Sequence, residues 1–84
     1  MIRFARSLAG HDKGKVYFVK EIKDGYYFLV DGTIRKWDDP KKKNERHVQI
    51  IKNIPIEISS IINEDAIKDI DIVKSLKEYR KKSK

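Results

Sequence analysis

Five short segments suited to β structure crowd into about fifty residues, and the turns between them leave room for little else. Residues 2–8 alternate apolar and polar through Arg6, the period-two pattern of a half-buried strand. Residues 16–22 and 26–30 are β-branched and aromatic, which suits strands. Asp24-Gly25 between them is a signal for a tight primed hairpin turn. A second pair, Asp31-Gly32, predicts another tight turn leading into a fourth strand over residues 33–37. Residues 38–46 read as a polar loop, and residues 47–51 as a fifth strand. Strands this short, joined mostly by tight turns, predict a mainly β chain. The expected form is a small antiparallel barrel whose closure would remove exposed edges.

The remainder differs in kind. Residues 52–60 carry Pro55 and alternating isoleucines, consistent with an extended segment or an irregular turn of helix. Asn63 is a good N-cap, and Glu64 and Asp65 follow it where acids suit the helix dipole. Ile67, Ile70, Val73, Leu76 and Tyr79 recur at helical spacing, and cations gather toward Lys82. The expectation is an amphipathic C-terminal α-helix over residues 64–81, packed on the barrel, with its apolar stripe a possible docking face for a ribosomal or other protein partner. The domain division expected is 1–53 for the barrel and 54–84 for the helical extension.

Composition narrows the function classes. The chain has 84 residues, no cysteine, and 20 Lys and Arg against 13 Asp and Glu, for a net charge of +7. Without cysteine there is neither a disulfide nor a thiolate metal site, which fits a reducing, cytoplasmic setting. No apolar run approaches the ~20 residues that span a bilayer. Residues 1–44 carry a net +5 and residues 45–84 a net +2, so the basic excess lies with the β-rich half. A small basic domain attracts polyanions, RNA foremost.

The stretch around which this half is organised is residues 7–15, Ser-Leu-Ala-Gly-His-Asp-Lys-Gly-Lys. Gly10 and Gly14 bracket His11, Asp12 and Lys13, marking a shaped turn that needs φ > 0. Asp12 is suited to bond the local backbone in an Asx-type turn, while His11, Lys13 and Lys15 present polar side chains. Gly-x-Asp-x-Gly-Lys between two strands resembles the KOW motif. Residues 6–15, with Asp31-Gly32-Thr33-Ile34-Arg35-Lys36 and Pro40-Lys41-Lys42-Lys43-Asn44-x-x-His47, are similar to small bacterial KOW-domain RNA-binding proteins. Those in turn resemble a KOW-containing ribosomal protein of the archaeal and eukaryotic large subunit. The similarity spans residues 6–47, with His11 standing where the pattern has arginine. It implies an SH3-like barrel, RNA binding, and a connection to the ribosome and translation.

Candidate RNA contacts follow, each beside a plainer reading. His11, Lys13 and Lys15 would meet phosphates or bases, with the backbone N–H groups at Gly10 and Gly14 approaching closely; the plainer reading is a structural turn with solvated lysines. Lys41, Lys42, Lys43, Arg46 and His47 would form a second cationic arm, each neutralised phosphate adding about 0.9 to the salt slope on duplex nucleic acid; surface lysines are more commonly solvated. Arg35 or Lys36 would point outward from the fourth strand, or cover apolar surface with its stem. Phe18 and Phe28 are expected in the core, whereas Trp37 and one of Tyr26 and Tyr27 are candidates for exposure. No catalytic constellation stands out. There is no His-x-x-x-His, no supported Ser/His/Asp spacing and no phosphate loop, so a non-catalytic protein without metal or cofactor is expected. The competing reading is an SH3-like protein-interaction module with a partner in the translation or transcription machinery.

Overall fold

A computed structural model describes residues 2–82. Its strands are β1 (Phe4–Ser7), β2 (Val16–Lys23), β3 (Tyr26–Val30), β4 (Lys41–Asn44) and β5 (Val48–Ile51). A 3₁₀ turn, Glu45–His47, joins β4 to β5. Two helices follow, α1 (Ile56–Ser59) and α2 (Asp69–Lys82). The strands form one antiparallel sheet in the order β4-β3-β2-β1-β5, an arrangement consistent with an SH3-like barrel. It does not close: β4 and β5 are its two edges.

The β2–β3 hairpin forms as the Asp-Gly pair requires, with positive φ at both Asp24 (52°) and Gly25 (80°). A register shift between Val19 and Glu21 bends β2. The fourth strand lies elsewhere than the sequence suggests. Residues 33–37 are not a strand, because the Asp31 carboxylate accepts from the backbone N–H of Thr33 and Arg35, both at 2.9 Å. A short acidic side chain that satisfies the backbone locally competes with ladder pairing. Asp31 N and Gly32 N also donate to Arg35 O, closing the turn. The strand that pairs with β3 is instead the lysine run, with Leu29 opposite Lys41 and Phe28 opposite Lys42.

Alternation along the strands gives the sheet two apolar faces. One carries Phe4, Val16, Phe18 and Val30, packed against Ile58, Ile62, Ile72 and Leu76 from the C-terminal segment. The Tyr79 ring meets Phe4 edge-on with centroids 5.3 Å apart. The other face gathers Ala5, Tyr17, Val19 and Leu29, with Tyr27 and Val48 beside them. The C-terminal segment thus completes the main core.

The helix starts later than expected. Asn63 accepts from Asp65 N through its side chain and from Ala66 N through its carbonyl, which makes a closed turn rather than a helix cap. Helical bonding then begins at Lys68. The buried stripe is Ile72 and Leu76 with Tyr79 packed beside them, and Ile70 is left exposed. Among the described residues, no helix is long and apolar enough to cross a membrane.

Candidate nucleic-acid interface

The loop between β1 and β2 is built on Asp12. Its Oδ1 accepts from Ser7 Oγ at 2.8 Å and Lys43 Nζ at 2.9 Å. Its Oδ2 accepts from Tyr17 O–H and Lys41 Nζ, each at 2.8 Å. Asp12 therefore bonds side chains of the sheet beneath it, not the local backbone of an Asx turn. Gly10 and Gly14 do take positive φ, 86° and 91°. Burial alone would raise the Asp12 carboxyl, but the bonds from Lys41, Lys43, Ser7 and Tyr17 outweigh it and hold the group well below the usual carboxylate range. Burial and the bond to Asp12 push the Tyr17 phenol up.

These contacts explain why a lysine run forms a strand. Lys41 and Lys43 fall on one face by alternation, and Asp12 neutralises them there. Lys42 falls on the opposite face, its Nζ 4.3 Å from the Tyr26 ring centroid. Charged side chains also protect an edge strand from pairing with another chain. The run that reads as a solvated cationic loop is structural at two of its three positions.

A second carboxylate holds Lys15. Its Nζ lies 2.6 Å from Asp31 Oδ2, and Asp31 is nearly buried. Burial would raise the Asp31 carboxyl, yet the Lys15 bond and the N–H groups of Thr33 and Arg35 lower it to about 2. The pair ties the glycine loop to the turn that carries Arg35 and Lys36. Arg35 faces Asp39 at 3.7 Å, in an exposed pair worth little.

The expected backbone donors are partly consumed. Gly14 N donates to Ser7 O at 2.8 Å, Lys13 N to Gly10 O at 3.2 Å and Lys15 N to Asp12 O at 2.9 Å. What the loop turns outward is side chain: His11 and Lys13 are exposed at its tip. Leu8 N donates to His47 O at 2.8 Å, which brings the exposed His47 alongside, whereas Glu45 N at the start of the same 3₁₀ turn donates to Gly25 O at 3.0 Å.

The fold thus gathers Gly10, His11, Asp12, Lys13, Gly14, Lys15, Lys41, Lys43 and His47 at one end of the sheet, while Arg46 follows Glu45, whose N–H donates to Gly25 O in the β2–β3 hairpin. It links Arg35 and Lys36 through Asp31 and carries Lys42 to the other face. Asp12 answers two lysines with one charge, so this end keeps a positive excess. Residues outside the candidate RNA contacts hold the site together: Ser7 and Tyr17 on Asp12, and Asp31, expected only as part of a tight turn, on Lys15. The Asp31-x-Thr33 spacing is the one signal that marks such a turn. No family model matches the chain, and no curated protein matches it.

Proposed function

We propose that this protein is a cytoplasmic, non-catalytic RNA-binding protein, associated with the ribosome through ribosomal RNA. The observation that carries this reading is the Asp12 clamp. It fixes the glycine loop from below and leaves His11 and Lys13 exposed at the tip, with His47 bonded to the loop at Leu8 and Arg46 exposed on the same 3₁₀ turn. A loop already fixed in shape binds phosphate without first losing its backbone freedom. The KOW-like pattern over residues 6–15 and the net charge of +7 support the same reading. Phosphate contacts set affinity, and RNA shape selects the site.

The test is co-sedimentation with ribosomal subunits at low and high salt, beside a Lys13→Ala/Arg46→Ala variant. That variant leaves the lysines of the Asp12 cluster in place. Salt-resistant association of the wild type with one subunit, lost in the variant, is expected. A wild type that stays unbound at both salts overturns the ribosomal reading.

A protein-interaction role draws on one other feature. A groove of about 420 Å³ is lined by Ile2, Ile54, Ile56 and Ile62, with Ile56 exposed. Binding through it would resist salt and be lost on Ile56→Asp.

A further inference from the structure

The face of the sheet that α2 covers at Phe4, Phe18 and Val30 continues beyond the helix. Val30, Phe28 and Tyr26 alternate on the same side of β3. Val30 is buried in the main core, whereas Phe28 and Tyr26 are only half-buried and Phe28 stands in neither core cluster. This corrects the expectation that Phe28 packs inside. Lys42 sits directly opposite Phe28 on β4, and its ammonium lies over the Tyr26 ring at 4.3 Å. Lys23, opposite Tyr26 on β2, is a second exposed cation, and Glu21, opposite Phe28, is the acid beside them.

We infer that this face is a stacking platform for the unpaired bases of single-stranded RNA, an inference that rests on the RNA-binding reading and adds a second contact surface to it. The two residues stand about 7 Å apart along the strand, twice the rise per residue. Both residues are partly exposed, and a base is flat enough to lie against them. The charge fits as well. Lys15, Lys41 and Lys43 are held by carboxylates, but Lys42 has no carboxylate partner among the described residues and rests on an aromatic ring. A base that stacks on Tyr26 takes the ring face the ammonium now covers, and the displaced cation is left to meet the phosphate of the same nucleotide. Base-paired RNA keeps its bases stacked inside the helix and offers this platform nothing.

Fluorescence anisotropy tests it, with a short labelled oligouridylate and an RNA duplex of the same length, at low and high salt. Wild type is expected to prefer the single strand. Tyr26→Leu/Phe28→Leu is expected to weaken single-strand binding by about tenfold or more while leaving duplex binding unchanged. Lys42→Ala, an exposed change that leaves both rings in place, is expected to lower the salt slope on the single strand alone. Tyr26→Phe is expected to bind as wild type, which separates loss of a ring from loss of a hydroxyl. Circular dichroism confirms that each variant is folded. If wild type binds RNA but the folded double variant holds the single strand equally well, the platform is refuted and the RNA-binding reading stands. Equal wild-type affinity for duplex and single strand refutes it too. If wild type binds neither RNA at low salt, both readings fall.

Discussion

Lys43 reaches from the edge strand β4 to Asp12 in the β1–β2 loop, with Nζ 2.9 Å from Oδ1 and both side chains 11% exposed. The same ammonium donates to Ala9 O at 2.9 Å, so one lysine fastens the loop at two points. Removing Asp12 leaves Lys43 nearly buried with no counter-charge. Asp12→Asn is expected to destabilise the fold by about 3 kcal/mol, toward the low end for breaking a buried pair. Lys41 is 32% exposed and can turn to water, so Lys41→Ala is expected to lose less than about 1 kcal/mol. Urea unfolding of both variants checks the order; equal losses would mean that Asp12 acts only through its exposed partner.

Gly32 and Gly14 share a left-handed backbone but differ in surroundings. At Gly32, φ +85°, a Cβ would stand 2.5 Å from Asp69 O and 2.7 Å from Val73 Cγ2. At Gly14, φ +91°, nothing lies within 4 Å. Gly14→Ala is expected to cost only the backbone penalty, about 1 kcal/mol. Gly32→Ala adds a clash with the first turn of α2 and is expected to cost at least about 3 kcal/mol in all. Thermal melts of the two variants decide it: similar shifts would mean that α2 does not press on this turn.

Asp31 makes the fold acid-sensitive in a defined window. Its carboxyl is lowered to about 2 in the folded chain, against about 3.9 unfolded. A depressed carboxylate stabilises the fold above its unfolded value and stops doing so as pH falls through the folded one. The loss from this group is about 2 kcal/mol, spread between about pH 4 and pH 2. Asp12, held lower still, extends its own loss below that range. Asp31→Asn is expected to be less stable at pH 7 and to show a flatter decline between pH 4 and pH 2. Urea unfolding across that range is the measurement; a decline as steep as wild type's would remove Asp31 from the account.

Much of this architecture is legible in local sequence. Alternation and Asp24-Gly25 suffice for β1 to β3, because a hairpin depends on neighbours in the chain. The fourth strand is not legible, since its stability comes from Asp12, some thirty residues away. A lysine run reads as solvent-exposed until its counter-charge is located, and no local pattern locates it. Asp69 gives a second case. Its position suits a helix start, but Oδ1 accepts from Trp37 N at 2.8 Å, a contact from the other half of the chain. At the candidate site the glycines and the exposed His11 and Lys13 follow from the motif. The diversion of Lys15, Lys41 and Lys43 into ion pairs follows only from the fold.

The C-terminal segment bears on whether residues 1–53 stand alone. Ile58 and Ile72 are fully buried, and Ile62 and Leu76 nearly so, against Phe4, Phe18 and Val30 of the sheet. Cutting the chain after Asn53 would expose that whole face, so the fragment 1–53 is expected to remain unfolded by circular dichroism. Point changes grade the effect. Leu76→Ala opens a cavity between α2 and the sheet and is expected to cost about 3 kcal/mol, a large share for a domain this small. Ile70, 58% exposed on the same helix, is expected to tolerate Ala within about 0.5 kcal/mol. A cooperatively folding 1–53 fragment, or equal losses at Leu76 and Ile70, would show the helix to be an appendage instead of half of the core.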